Sequence, residues 1–207
     1  MKMRIRKVKL TPLGIAALAL LTERPMHPYE MFQTLLSRHV DRVVKVRPGS
    51  LYHTVARLAD DDLVRAIGTE REGNRPERTS YEITDEGRDV LREQLIGLLS
   101  IPEEEYPAFP LALTEADIVE PAVLADLLRR RLFRVRGDLA SYEAGLESVT
   151  AQGLPEAYWL DLTYLRDVLA AEVRWLERTV ARLESGELTW PEDPSNPQTH
   201  HHQKEQP

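Results

Sequence analysis

The sequence contains no cysteine. This absence excludes a disulfide scaffold, zinc sites with cysteine ligands, iron–sulfur clusters and a thiol nucleophile. Long apolar runs are missing too. The run from Leu13 to Leu21 falls far short of the roughly 18 apolar residues that a membrane-spanning helix needs, and it carries no small-residue cleavage pattern. We therefore predict neither a signal peptide nor a membrane segment, and we expect a cytoplasmic protein.

The signatures of common catalytic sites are absent as well. The chain has no G-x-S-x-G, no Walker loop and no H-E-x-x-H, so the patterns of hydrolases, nucleotide-binding enzymes and zinc proteases are not met. The acidic run at 103–105 lies in a proline-rich segment, which is a poor place to fix an acid–base pair. We expect a protein that is not an enzyme and that needs no cofactor.

Charge is unevenly distributed along the chain. The formal net charge is -7, but residues 1–100 carry +3 and residues 101–207 carry -10. Such an asymmetry suggests two halves with different partners. The basic half can still attract phosphate, because salt screens the distant acidic charges within roughly 10 Å.

Three helix starts are marked by proline in the N-terminal half. Thr11 and His27 each precede a proline, and Ser50 follows Pro48-Gly49. Proline suits the first helical position because the N–H group that it lacks would have no partner there. We expect Thr11 to cap the first helix. We expect Ser50 to cap the third helix.

The third helix is followed by a hairpin and a fourth helix. Apolar residues at i, i+4 and i+7 from Leu51 give the third helix one buried face. Residues 63–67 and 80–84 predict two strands with a polar tip between them, and Thr84 caps the fourth helix. This order of elements predicts a winged helix-turn-helix, in which the third helix enters the major groove of DNA and the hairpin reaches the flanking backbone.

The C-terminal half has a different pattern. Residues 101–112 contain three prolines, which we take to exclude a helix and to mark a linker. Apolar residues then recur at steps of four and three from Pro121 to Gly153 and again from Tyr158 to Gly186, which predicts an antiparallel helical hairpin.

The expected architecture is therefore mainly α-helical. A winged-helix domain occupies 1–100, a linker 101–112, and a helical domain for dimerisation, and for an effector if one exists, 113–190. The polar, proline-containing remainder, 191–207, is expected to be a disordered tail.

DNA contacts are expected from the exposed side of the third helix and from the hairpin. The residues are Ser50, Tyr52, His53 and Arg57 on the helix and Arg71, Arg75 and Arg78 on the hairpin. Arginine binds phosphate in bidentate fashion and enters narrow minor grooves. The alternatives are that Tyr52 braces the helix as a half-buried aromatic and that the hairpin arginines are only solvated. The basic arm at 1–10 is equally compatible with backbone contact and with none.

These residues carry a family resemblance. The stretch PGSLYHTVARLADDDLV, followed by EGNRPERTSYEITDEGR, resembles the PadR family of bacterial and archaeal transcriptional regulators. The matching positions, in order, are Pro48, Gly49, Ser50, Leu51, Tyr52, Leu58, Tyr81, Ile83, Thr84 and Gly87. The chain departs from the family pattern at His27 and at Asn74, where the family commonly has glycine.

The resemblance implies a homodimer that binds a palindromic operator in double-stranded DNA as a repressor or an activator, of which we expect a repressor, with the C-terminal helices holding the dimer together. It also implies that a small aromatic effector is a reasonable partner. Two alternatives from other classes stay open: a winged-helix module that binds proteins instead of DNA, and a ligand-binding helical protein with a vestigial DNA-binding half.

Several C-terminal features have both a functional and a structural interpretation. Trp159 and Trp175 are candidates for an effector site, although core packing is the commoner role of such residues. The arginine-rich run RRRLFRVR at 129–136 is better explained by ion pairs on a helix face, for example Asp126 with Arg130. The three histidines at 200–202 stand on the predicted tail, and no metal site is expected there.

Overall fold

The structure is a computed structural model that describes residues 8–70, 78–102 and 104–190. The chain divides into two compact units, Met1–Glu105 and Tyr106–Pro207, called here the N-terminal and the C-terminal unit. Within the described ranges, no helix combines the length and the apolar character needed to cross a membrane.

The N-terminal unit is built from four helices and one hairpin. The elements are α1 (Pro12–Glu23), α2 (Pro28–Ser37), α3 (Pro48–Asp60), β1 (Val64–Glu70), β2 (Arg78–Ile83) and α4 (Asp85–Ser100), with a 3₁₀ turn at Val40–Arg42. This order confirms the predicted winged helix-turn-helix.

Side-chain caps start three of these helices. The hydroxyl of Thr11 accepts a hydrogen bond from the N–H of Gly14, and that of Thr84 accepts one from the N–H of Gly87. At the start of α2, Nδ1 of His27 plays the same role for the N–H of Glu30. Each cap satisfies one of the amide groups that a helix leaves without a partner in its first turn.

The hairpin is a two-stranded antiparallel sheet. Val64 pairs with Ile83, and the register is irregular between Ala66 and Gly68. Two backbone hydrogen bonds of 3.0 Å tie Met26 to Tyr81 and so join the α1–α2 connection to β2. The hairpin is therefore bonded to the helices at its base. Its tip, 71–77, lies outside the described residues.

One apolar core closes the N-terminal unit. It takes side chains from all four helices and both strands, including the fully buried Leu18, Met31, Leu51 and Val55. The apolar face predicted for α3 therefore lies in this core. The second half of α4 does not, since Leu95, Leu98 and Leu99 are exposed.

The start of α4 packs so closely that only glycine fits at Gly87. A Cβ atom built there would lie 2.1 Å from the carbonyl oxygen of Leu63 and 2.9 Å from a side-chain carbon of Ile83. The N–H of Thr84 donates to the same Leu63 oxygen at 3.0 Å, and the Thr84 hydroxyl donates to the Asp62 carbonyl at 2.8 Å. The Thr-x-x-Gly part of the motif is thus a packing device.

Two local predictions were wrong. Ser50 does not cap α3. The helix begins at Pro48, Arg47 occupies the cap position in an extended conformation, and Ser50 is the third helical residue. Segment 101–112 was expected to contain no helix, yet α5 (Ala108–Thr114) begins within it. Pro110 falls in the first turn of α5, where a missing N–H costs no intrahelical bond.

The C-terminal unit is a pair of long helices with α5 packed at one end. After α5 come α6 (Pro121–Ala151) and α7 (Leu160–Glu184), with 3₁₀ turns at Ala116–Ile118 and Glu156–Tyr158. Side-chain contacts pair Val119 with Trp190, Arg129 with Glu184 and Arg136 with Glu177. Because the second number falls as the first rises, the two helices run antiparallel, as predicted.

The core of this unit fills only one half of the hairpin. Its buried residues are Ala116, Leu124, Ala125, Leu128, Leu132, Val135, Val173, Leu176, Val180 and Leu183. In the other half, formed by residues 140–168, the predicted seam continues but no described side chain is buried. Tyr158 was placed on the second long helix; it belongs to the 3₁₀ turn and is 80% exposed.

Candidate nucleic-acid interface

Helix α3 has one buried face and one polar, exposed face. Leu51, Thr54, Val55 and Leu58 are buried in the core of the N-terminal unit. The predicted contact residues of this helix, Ser50, Tyr52, His53 and Arg57, are all exposed. Tyr52 is 51% exposed, which makes the alternative of a bracing aromatic the weaker one.

The side chains on the exposed face are free to meet a ligand. Within 8–70, 78–102 and 104–190, Tyr52, His53 and Arg57 make no side-chain hydrogen bond or ion pair. They offer a hydroxyl, an imidazole and a guanidinium, which are groups that read base edges or bind phosphate. Nothing within the described fold accounts for three such side chains on one face.

The first turn of α3 adds a feature that the sequence pattern did not predict. No side chain caps this turn and no acidic residue lies in it. Two exposed basic residues, Lys45 and Arg47, precede it. They alternate with Val44 and Val46, which pack against the core. The alternation of valine and basic residues was the available signal. Uncapped N–H groups, the positive end of the helix dipole and two cations together favour phosphate.

The opposite end of α3 is unsuited to DNA. Asp60, Asp61 and Asp62 follow one another there, and carboxylates at a helix C-terminus add to its negative end. Asp62 also has a positive φ of 60°, which ends the helix sharply before β1. The polarity of α3 thus confines a phosphate-binding surface to its N-terminal part.

The structure describes only one of the three hairpin arginines predicted to contact DNA. Arg78 opens β2, where its backbone pairs with Glu70. Arg71 and Arg75 lie outside the described residues, as do Arg4, Arg6 and Lys7 of the N-terminal arm. Their contacts with DNA stay a prediction.

The tryptophans predicted for an effector site have separate environments. Trp175 is half-buried and packs edge-on against Phe109 of α5, with 6.0 Å between ring centroids, and the guanidinium of Arg131 lies 3.5 Å above the Phe109 ring. Trp159 donates its indole N–H to the carbonyl of Leu154. An open cavity of about 420 Å³ beside the Arg129–Glu184 pair is lined by neither tryptophan.

The arginine-rich run of α6 forms ion pairs within the C-terminal unit, as predicted. Arg130 pairs with Asp126 at 2.6 Å, and Arg129 pairs with both Asp126 and Glu184. The bond with Glu184 raises the pKa of Arg129. Among the described residues, no group of three metal-ligating side chains occurs; the histidines at 200–202 lie outside them.

The fold defines a class: a winged helix-turn-helix whose third helix, α3, leaves a polar face exposed. Residues 17–93 match the model of the family described as "Transcriptional regulator PadR-like family". This match lies in the N-terminal unit and, with the solved structures below, confirms the resemblance that the motifs carry to a family of transcriptional regulators, whose members are not enzymes. No curated protein matches the chain.

Solved structures share the fold over both units. Bacillus subtilis PadR in complex with operator DNA is 22% identical, with a TM-score of 0.72, over 85% of this chain and 99% of that one. The same protein in complex with p-coumaric acid is 20% identical, with a TM-score of 0.70, over 84% of this chain and 99% of that one. The Vibrio cholerae virulence activator AphA is 18% identical, with a TM-score of 0.66, over 84% of this chain and 99% of that one.

Proposed function

We propose that this protein is a homodimeric regulator that binds a palindromic operator in double-stranded DNA and represses transcription in the cytoplasm. The observation that carries the proposal is the exposed face of α3, where Tyr52, His53 and Arg57 have no partner within the described residues. That a structure of the same fold holds operator DNA supports the proposal.

The two kinds of DNA contact are assigned to different parts of the N-terminal unit. His53 and Arg57, one turn apart on α3, read base edges, and Tyr52 assists them. Ser50, Lys45 and Arg47 bind the phosphate that faces the uncapped first turn. The hairpin arginines, Arg71, Arg75 and Arg78, hold the flanking backbone.

The dimer is proposed to form through the C-terminal unit, so that 113–190 is the dimerisation domain. One reason is that residues 140–168 of the helical hairpin contain no buried side chain, so this part of the unit does not close a core by itself. A second is an apolar stripe on α7, where Leu160, Tyr164 and Val168 are 58%, 69% and 46% exposed at a spacing of four residues. A second copy that covers both surfaces completes the core. Two-fold symmetry then requires an operator with matching half-sites.

Repression and an effector belong to the same proposal. A dimer bound over a promoter excludes polymerase, which makes repression the simplest outcome. A small aromatic effector is proposed because a protein of the same fold has been crystallised with p-coumaric acid. All three tryptophans lie in the C-terminal unit, so binding there is expected to change their fluorescence, and an effector that relieves DNA binding without this change would place its site elsewhere.

A gel-shift titration with DNA from the protein's own promoter region tests the proposal. We expect a shift at nanomolar protein that survives an excess of random DNA, and sedimentation of the free protein as a dimer at micromolar concentration. Equal affinity for both DNAs, or no shift, would point to a protein-binding module. Deleting 113–190 should leave a mostly monomeric fragment that binds DNA weakly. A full-length monomer would contradict the proposed dimer.

A further inference from the structure

The cap of α2 differs chemically from the other two side-chain caps of the N-terminal unit. His27 is extended, with φ of -88° and ψ of 155°, and its Nδ1 accepts the N–H of Glu30 at 2.9 Å. Thr11 and Thr84 do the same with hydroxyl groups. A hydroxyl accepts hydrogen bonds at any pH at which proteins are folded. An imidazole accepts one only through a nitrogen that carries no proton.

Protonation therefore reverses the role of His27. In the imidazolium both ring nitrogens are donors, so Nδ1–H would point at the N–H of Glu30. The added positive charge would also lie at the positive end of the α2 dipole. Both effects act against the first turn of α2.

The charged groups around this cap offset one another. Glu30, on α2 itself, forms an ion pair at 2.5 Å with Arg24, which follows α1. The ring of Tyr29 lies 6.2 Å from that of His27, and Tyr81 of β2 is bonded to the neighbouring Met26. Tyrosine side chains carry no charge between pH 5 and 8. The carboxylate of Glu30 is thus already matched by a cation before His27 gains its proton.

We propose that His27 is a pH-sensitive cap, which holds the first turn of α2 when neutral and releases it on proton uptake. Histidine ordinarily exchanges its proton near pH 6.5. The hydrogen bond from the N–H of Glu30 requires an Nδ1 without a proton, so the cap stabilises α2 while His27 is neutral and is lost when His27 gains a proton. Because Met31 and Leu35 of α2 share a core with α3, release loosens the support of the recognition helix.

Hydrogen exchange of the full chain tests this without relying on DNA binding, so a failure here is distinct from a failure of the proposed function. The protection of the peptide covering 28–37 is compared at pH 5.5 and 8.0 in the wild type, H27S and H27A. We expect wild type and H27S to match at pH 8.0, and wild type to lose about fivefold more protection than H27S at pH 5.5, the effect of one ordinary cap. In H27A the protection of this peptide should be low at both pH values.

Parallel losses in wild type and H27S would overturn the proposal, as would ¹⁵N chemical shifts that place the proton of neutral His27 on Nδ1. DNA affinity is not a suitable readout, because it also depends on the proposed contacts of α3 with DNA and would not isolate the cap.

Discussion

The two units of this protein close their cores to different degrees. In the N-terminal unit, every described element contributes to one core, and individual residues fix its geometry: three side-chain caps and a glycine that no other residue can replace. In the C-terminal unit, a repeating pattern of leucine and valine does this work, and the core stops halfway along the hairpin. Unique local contacts specify the first unit, and a repeated seam specifies the second.

The difference shows what each unit offers to a partner. The N-terminal unit buries its apolar face of α3 and leaves polar groups outside, which suits a charged ligand such as DNA. The C-terminal unit leaves apolar side chains exposed, such as Tyr164 and Leu160, which suits another protein surface. Four experiments test this contrast.

The largest effect is expected from Gly87→Ala in the N-terminal unit. The new Cβ would meet the Leu63 carbonyl oxygen at 2.1 Å, and backbone cannot yield there without breaking the bond from Thr84. We expect a loss of about 3 kcal/mol in the free energy of unfolding, measured with urea. Gly97→Ala, on the same helix with nothing within 4 Å, is the control and should be neutral or stabilising. Equal midpoints for both variants would show that α4 is not packed as described.

The next effect concerns the exposed stripe of α7. Tyr164→Asp places a charge where the second copy is proposed to lie, and we expect the dimer dissociation constant to rise at least about 100-fold. Ala181→Asp, exposed on α7 but outside 140–168, should leave the constant unchanged. Sedimentation equilibrium measures both. If the two variants dimerise equally well, the stripe is not part of the interface.

The third experiment separates base contacts from phosphate contacts. Arg57→Ala and His53→Ala should weaken operator binding by about 1–3 kcal/mol more than random-DNA binding. Arg47→Ala and Arg75→Ala should weaken both equally and lower the salt slope by about 0.9 for each phosphate that the variant no longer neutralises.

The comparison variant for this series is Tyr52→Phe, which removes only a hydroxyl. Since Tyr52 is half exposed, neither it nor Tyr52→Ala should unfold the domain. If the His53 and Arg57 variants weaken binding to both DNAs alike, α3 does not read sequence.

The smallest effect is expected from ion pairs. Arg38 bonds both carboxylate oxygens of Glu23, at 2.5 and 2.9 Å, and this holds the pKa of Glu23 below its ordinary value. Because folding lowers this pKa, the pair stabilises the protein fully above the ordinary range of glutamate, and the effect is lost as the pH falls from that range through the lowered pKa of the folded state. Glu23→Gln should cost at most about 1 kcal/mol at pH 7, since both groups are exposed.

The pH dependence is the sharper part of this test. The difference between Glu23→Gln and wild type should shrink as the pH falls below the ordinary range of glutamate and should vanish below the lowered pKa of Glu23. Glu177→Gln, which breaks the single bond to Arg136, should cost less at pH 7. A larger loss for Glu177→Gln would mean that ion pairs contribute more to the stability of the C-terminal helical hairpin than to that of the winged helix.

The winged helix could be predicted from the sequence because its signals are local. Thr11 and Thr84 cap helices as predicted, and α2 begins at the predicted Pro28, although the cap by His27 was not predicted. The start of α3 was misjudged because proline takes the first helical position, which leaves Ser50 inside the helix. Helix α5 in the linker was missed because a proline in the first turn of a helix costs no hydrogen bond. The number of prolines in a segment does not show whether a proline falls in a first turn or in a helix interior.

The exposed positions of α3 were predicted correctly, whereas their contacts with DNA stay a prediction. The exposed positions of α3 follow from helical spacing once its buried face is known. Lys45 and Arg47 were missed because their exposure depends on Val44 and Val46 packing into a core that only the tertiary structure reveals. For the C-terminal unit, periodicity predicted two helices correctly but could not show that their shared core ends near Leu139 and Leu169.

The contact between Gly87 and Leu63 also has a mechanical consequence. The Leu63 backbone bonds to Leu58 at the end of α3 and to Thr84 at the start of α4, and β1 begins one residue later. The C-terminal end of α3, the start of β1 and the start of α4 are thus all bonded to, or adjacent to, the backbone of Leu63. Since α4 is the last element of the N-terminal unit, a movement of its first turn would be transmitted to α3 and to the base of the hairpin together.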